Sequence, residues 1–304
     1  MSTRGKTVAA AGSHRQGLLA LLLVTVVWGT TFPAMKQLSS DLGALEIILL
    51  RYLISSLVLL PLMRGLNWSE LRWGVAIGSV LFCAFFLQVA GLALTSSNRN
   101  AFVTGLNVLI VPMLAYLLGQ RMHWPVLLGA ALAVLGLGGM FYDQTPWSSG
   151  DTLTLVSAFV YAVYVLLFEF SAKAADRPRP ERLALVQSLT MLALSALGFM
   201  LVEPVTLGNL WSRAQGHSIS LLYLGLLAGA VMVWLQAWGQ QRVRAVEAAI
   251  VYGMEPVFAA LAAVWWIGEV LQGRALLGGA LIVLGVLISQ IDPGWRFGTK
   301  LAKE

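Results

Sequence analysis

Charge is scarce in this sequence. Only 11 % of its 304 residues are Asp, Glu, Lys or Arg, against about 25 % in a soluble domain. A folded surface needs charge to stay in solution, so an ordinary cytosolic enzyme is excluded, and the 58 % apolar share excludes disorder. Cysteine is nearly absent. The one thiol, Cys83, lies in an apolar run and permits neither a disulfide framework nor a CxxC metal site. The three histidines, His14, His123 and His217, all fall outside the apolar runs, so no His/Asp cluster forms at membrane depth. The motifs GxxxxGK[ST], HExxH and GxSxG are missing too, which excludes P-loop ATP hydrolysis and two common hydrolase chemistries. No catalytic residue, metal ligand or cofactor is expected.

What the sequence has is long apolar runs. A bilayer core of ~30 Å needs about 20 apolar residues per helix. Ten such runs fall at 17–37, 45–63, 73–94, 101–119, 126–141, 152–170, 183–202, 219–241, 246–267 and 275–291. They are continuous and do not alternate with period two, so helices are predicted rather than barrel strands. The connections at 171–182 and 203–218 are too short to fold alone. The first run offers no small-x-small cleavage site at its end and reads as a retained helix rather than a signal peptide. The prediction is an all-α, multi-pass membrane protein with ten transmembrane helices.

Lys and Arg fix an orientation. With the N-terminus in the cytoplasm, one side carries 15 of them, including Arg4, Lys6 and Arg15, Arg121, Lys173 to Arg182, Arg242 and Arg244, and Arg296, Lys300 and Lys303. The other carries only Lys36, Arg99, Arg213 and Arg274. The positive-inside rule then places both termini in the cytoplasm. The net charge of +6 is therefore topology, and nucleic acid is not an expected partner.

The chain also repeats itself. Phe86-Leu87-Gln88-Val89-Ala90-Gly91 matches Trp234-Leu235-Gln236-Ala237-Trp238-Gly239 at a spacing of 148 residues. Gly119-Gln120 matches Gly268-Glu269, and Gly129-Ala130-Ala131-Leu132 matches Gly278-Gly279-Ala280-Leu281. Five helices per copy make the second copy enter from the opposite side. The expected organisation is two inverted repeats, 17–142 and 151–291, between cytoplasmic tails at 1–16 and 292–304. That is a common construction of secondary transporters, whose substrate site lies near the midplane between the halves.

Polar groups in hydrocarbon are expensive and mark candidate sites. Glu255 is the deepest acid; it either titrates as a proton-coupling group, pairs with a substrate ammonium, or accompanies the helix break at Pro256. Gln88 and Gln236 are the repeat-related amides, and either line the cavity or bond between helices. Polar stripes at helical spacing run through Asn100, Thr104 and Asn107, through Ser157, Tyr161 and Tyr164, and through Ala248, Tyr252 and Glu255. Trp28, Thr31, Phe86 and Trp234 complete the candidate substrate-binding set, the aromatics suiting apolar or cationic solutes or plain core packing. Trp68, Trp73, Trp124, Trp147, Trp211, Trp265 and Trp266 sit at span ends as an interfacial belt. Arg51 is expected to pair with Glu46 or cap a helix, a substrate carboxylate being the other reading. Gly129, Gly136, Gly278 and Gly285 predict close approach of spans 5 and 10.

Four segments stand out together: Trp28-Gly29-Thr30-Thr31-Phe32-Pro33-Ala34-Met35-Lys36, Arg51-Tyr52, Ala101 to Leu106 with Pro112, and Glu255-Pro256-Val257-Phe258 followed by Gly268-Glu269. In them the chain resembles EamA-type members of the drug/metabolite transporter superfamily. Gln120 departs from the pattern, standing where the first half usually has a glutamate. The resemblance implies a carrier of the inner membrane that exports amino acids or other small metabolites. The expected partners are the bilayer and a small-molecule substrate, with proton coupling open and the chain a monomer or homodimer. Residues and resemblance together lead to an alternating-access carrier of small neutral or zwitterionic metabolites, most of all amino acids, the aromatic ones among them. The alternatives are efflux of lipophilic cations or drugs, transport of a vitamin-like metabolite, and a non-transporting scaffold or enzyme.

Overall fold

The computed structural model describes residues 3–120, 122–141, 146–202, 207–267, 273–289 and 291. Gly268-Glu269, Arg121, Arg296, Lys300, Lys303 and the tail at 292–304 lie outside the described residues, as do the side chains of Arg4, Lys6, Trp265 and Trp266. Among the described residues, eight helices are long and apolar enough to cross a membrane: α1 (Ser13–Leu38), α2 (Ala44–Met63), α3 (Trp68–Leu94), α4 (Arg99–Leu117), α6 (Ser149–Lys173), α7 (Pro180–Leu201), α8 (Asn209–Gln240) and α9 (Ala245–Ala262). Two shorter apolar helices, α5 (Trp124–Gly139) and α10 (Leu276–Ser289), pack on each other.

Local chemistry sets the helix ends. Asn67 accepts from the Glu70 amide at 2.9 Å while Glu70 accepts from the Asn67 amide at 2.9 Å, a capping box that starts α3. Ser148 and Asp151 build the same box at the start of α6. Gly119 ends α4 in the left-handed region (φ 81°), and the Gln120 amide folds back to the Ala115 carbonyl at 3.0 Å. A side chain at Gly119 would strain that cap.

Three helices are interrupted where they cross the middle of the bundle. α1 stops at Gly29 and resumes at Thr31, because Pro33 cannot donate to the Gly29 carbonyl. α9 stops at Tyr252 and resumes at Glu255, because Pro256 does the same to Tyr252. α4 breaks after Gly105 and resumes at Asn107. Gly105 and Gly253 are separated by the same interval as Gln88 and Gln236. The two breaks pack on each other: a Cβ on Gly105 would lie 3.4 Å from Pro256 Cγ, and one on Gly253 3.5 Å from Val108 Cγ2. α8 carries a π-helical stretch, Tyr223–Val231, a local widening common at functional sites.

Side-chain bonds gather the helix ends into two faces. On the face that holds the start of α1, His14 meets Glu247 at 2.8 Å. On that face also, Glu169 accepts from the Ala245 amide at 2.7 Å, from Gln120 at 3.1 Å and from Lys173. An acid from α6 thus stands beside Gln120, where the chain lacks its own glutamate. On the opposite face Asp151 is fully buried and receives Arg99 at 2.8 Å and Thr95 at 3.1 Å. There too Arg213 clasps the buried Glu46, and Lys36 donates to the carbonyls of Leu92 and Thr95, each at 2.7 Å. The expected Arg51–Glu46 pair does not form, because Arg213 takes Glu46.

Glycines set the closest seams. A Cβ on Gly239 of α8 would lie 3.1 Å from the Gly17 carbonyl of α1, and one on Gly91 of α3 only 2.7 Å from the Gly150 carbonyl of α6. On Gly129 of α5 it would come within 2.5 Å of the Gly285 carbonyl of α10, as the glycine spacing predicts.

The Asp41–His217 contact, at 2.7 Å on the exposed rim, carries a pH prediction. The hydrogen bond from His217, with a second from Ser40, holds the Asp41 carboxyl below the usual carboxylate value. A lowered folded value adds stability above about pH 3.9, the unfolded value, which is lost as pH falls through the folded one. Thermal unfolding in detergent should separate wild type from His217→Ala at about pH 5 and not below the carboxyl's titration. A gap unchanged in acid would refute this.

Candidate functional site

The interrupted helices surround a cavity of about 50 Å3. That is far below the ~300–1,000 Å3 of a typical ligand pocket, so the bundle is drawn in around it. α1 contributes Trp28, Thr31, Phe32 and Met35; α4 contributes Thr104 and Asn107; α9 contributes Tyr252 and Glu255. α3 adds Leu81, Phe85 and Gln88, α6 adds Tyr161 and Tyr164, and α8 adds Val233 and Gln236. α2 also reaches the cavity, through Arg51 and Tyr52.

The two repeat-related glutamines organise the polar walls. Gln88 accepts from the Tyr161 hydroxyl at 3.0 Å and donates to Thr104 at 3.1 Å. Gln236 accepts from the Tyr164 hydroxyl at 2.7 Å, and Gln187 of α7 donates to that same hydroxyl at 3.1 Å. Each amide thus ties a helix of one half to α6 while facing the cavity. The first member of two stripes serves the scaffold instead. Asn100 donates to Thr154 at 2.7 Å, and Ser157 donates to the Ala84 carbonyl at 2.7 Å.

Arg51 is the residue whose place the sequence hid. The residue is only 3 % exposed, with the guanidinium 4.9 Å from the Phe85 ring centre and 5.7 Å from that of Tyr52. It donates to the Ala228 carbonyl at 3.1 Å, and the Trp28 indole donates to the same oxygen, also at 3.1 Å. Ala228 lies in the π-helical stretch of α8. Trp28 in turn stacks on Tyr252, with ring centres 6.0 Å apart. A charge six positions into an apolar run was itself the available signal, since such a group turns inward.

Every candidate substrate-binding residue lines this cavity except Phe86 and Trp234. Phe86 stacks on Phe82 with ring centres 6.2 Å apart, and Trp234 is 40 % exposed on the outside of α8. The reason is helical geometry. Each aromatic stands two positions before its cavity-facing glutamine, about 200° around the helix. Phe85, one position earlier than Phe86, takes the inner place. Trp238 lies outside the cavity as well, under the Arg242 guanidinium at 3.8 Å. Trp68, Trp124, Trp147 and Trp211 are exposed at helix ends, as a belt requires.

Comparison with known proteins agrees with this architecture. The sequence profile of the EamA-like transporter family matches residues 15–142 and again 148–290. The chain belongs to the EamA-like transporter family. It is a multi-pass membrane transporter, not an enzyme. Among similar proteins, a probable amino-acid metabolite efflux pump of Escherichia coli K12 is 27 % identical over 95 % of this chain and 99 % of its own length. A probable terminal-alkyne amino-acid exporter of Streptantibioticus cattleyicolor is 27 % identical over 88 % of this chain and 91 % of its own. An uncharacterized transporter of Archaeoglobus fulgidus is 27 % identical over 89 % and 84 %. A crystal structure with TM-score 0.71 and 22 % identity covers 92 % of this chain and 96 % of the other, and shares the fold.

Proposed function

We propose that this EamA-like chain is a secondary, alternating-access carrier of the cytoplasmic membrane that exports small neutral or zwitterionic metabolites, amino acids foremost. In this reading the chain crosses the bilayer ten times as two inverted five-helix repeats, at 17–142 and 151–291, with its tails at 1–16 and 292–304 in the cytoplasm. The observation that carries it is the cavity between two interrupted helices, α4 and α9, broken at repeat-related glycines. Broken helices at the midplane between repeats are the usual place of a carrier's site.

Further features support the repeat and the orientation. The Gly17–Gly239 and Gly91–Gly150 seams each join the first helix of one half to the third helix of the other, at opposite faces. The family profile matches twice in tandem. The surplus of Lys and Arg in the connections on the side of the N-terminus, against Lys36, Arg99, Arg213 and Arg274 on the other, supports the orientation. Two relatives with amino-acid export in their names favour that cargo.

Counterflow in proteoliposomes loaded with labelled Phe, Trp, Thr and Met tests the reading. Saturable exchange is expected for at least one of them. Glu255→Gln should lower it about tenfold or more, the loss of one charge-assisted contact at ~1.5–3 kcal/mol. Flux that follows a pH gradient and loses that dependence in Glu255→Gln would make Glu255 the proton-coupling group. No exchange of any amino acid would remove this cargo class. Exchange of lipophilic cations in its place would establish the drug-efflux alternative.

A further inference from the structure

The cavity holds a cationic and an acidic side chain, Arg51 and Glu255, that make no ion pair with each other. Arg51 is buried and permanently cationic. Its polar contacts are a backbone carbonyl at 3.1 Å and the weakly accepting Met35 sulfur at 3.8 Å. Among the described residues, no hydrogen bond or ion pair reaches the Glu255 carboxylate, so it is not spent on the helix break behind it. Burying a charge without a counter-charge is costly, and a transport cavity can defer that partner to its cargo.

Unpartnered polar atoms line the cavity as well. On the α2 wall the unsatisfied atom is a donor, Arg51 Nε, while Gln236 Nε2 of α8 and the Tyr252 hydroxyl of α9 are a donor and a group that can both donate and accept. On the α4 wall the unsatisfied atom is an acceptor, Asn107 Oδ1, and Asn107 opens its half-helix as Glu255 opens that of α9. The packed breaks of α4 and α9 bring these two half-helix starts together. One wall therefore lacks acceptors and another lacks donors. A monocation does not answer that pattern, because the Arg51 guanidinium would repel it. A monoanion would meet Glu255.

Resting on the carrier reading above, we propose that Arg51 and Glu255 are the two poles of a receptor for the dipolar head of an α-amino acid. Arg51, assisted by Gln236, takes the α-carboxylate. Glu255, assisted by Asn107, takes the α-ammonium. The stacked Trp28 and Tyr252 border the space left for the side chain. At about 50 Å3 the cavity is too small for an amino acid, so the walls separate to admit it.

The test uses the full-length protein in proteoliposomes and the labelled amino acid it exchanges fastest. Three unlabelled competitors are compared: that amino acid, its amide (ammonium kept, carboxylate removed) and its desamino acid (carboxylate kept, ammonium removed). Wild type should prefer the zwitterion over each singly charged analogue by at least about tenfold. Arg51→Gln should shrink the preference over the amide and leave that over the desamino acid, with Arg51→Lys in between. Glu255→Gln should do the reverse. Each preference is a ratio within one protein, so the yield of folded variant does not enter. A singly charged analogue that competes with wild type as well as the zwitterion overturns the proposal without any variant. So does a wild type that carries other solutes and no amino acid, which leaves the carrier reading standing. Inertness toward every solute would sink both.

Discussion

Gly91→Leu is expected to leave a folded, membrane-inserted protein that transports poorly and rests mostly open on one face. A Cβ at Gly91 would stand 2.5 Å from Thr154 Oγ1 and 2.7 Å from the Gly150 carbonyl, so a leucine there wedges α3 from α6. Overpacking of this kind costs about 1–3 kcal/mol. It is levied only on the state in which the seam is shut, and so shifts the open-to-closed ratio by roughly 5- to 150-fold. Gly239→Leu wedges the corresponding α8–α1 seam, where a Cβ would meet Leu21 Cδ2 at 2.8 Å and the Gly17 carbonyl at 3.1 Å. The two variants should open opposite faces. A cysteine placed in the cavity by Thr104→Cys, with the exposed Cys83 removed by Cys83→Ala, reports it through an impermeant maleimide added to vesicles of either orientation. Gly91→Leu should expose the cysteine from the face away from His14, and Gly239→Leu from the face of His14. Labelling from the same side in both variants would refute the paired seams.

Arg182→Leu should be among the most destabilising single changes in the chain. Arg182 donates to the carbonyls of Arg64, at 2.8 Å, and Gly65, and lies 3.3 Å from Glu70, whose side chain is fully buried. Arg182 itself is 17 % exposed, so solvent screens the pair little. Without it the Glu70 carboxylate keeps the Asn67 amide and loses its counter-charge. Stranding a buried charge in this way costs about 3–5 kcal/mol. Unfolding in detergent should show that loss, and Glu70→Gln added to Arg182→Leu should recover part of it by removing the stranded charge. An Arg182→Leu protein as stable as wild type would mean that water reaches Glu70 and the pair is an ordinary surface contact.

The readable part of the site came from types and spacings that hydrocarbon penalises. A buried amide, tyrosine or carboxylate inside an apolar run has few places to go but the bundle interior. Gln88, Gln236, Tyr161, Tyr164, Tyr252 and Glu255 were legible on that ground, and all face one cavity. Aromatic rings carry no such constraint, because Phe and Trp are at home against lipid as well as protein. Phe86 and Trp234 for that reason stand two positions' rotation away from the cavity, and Phe85 takes the inner place. Arg51 was visible as a charge within a span, but its partner was not. Glu46 stands five positions away in the chain, while the guanidinium's actual neighbours come from α1, α3 and α8.

The sequence by itself determined that this chain lives in a membrane as a bundle of helices, that a helix breaks at Pro256, and which family it belongs to. Those properties depend on runs of apolar residues, on proline's missing N–H and on local motifs, all of which act within a few residues of the chain. Tertiary structure alone decided that Arg51 and Glu255 share a cavity without pairing, that Glu46 belongs to Arg213, and that Gly91 meets Gly150 while Gly17 meets Gly239. Each of these joins positions far apart in sequence. A helix's rotation about its axis and the neighbour it packs against are set by the whole bundle at once.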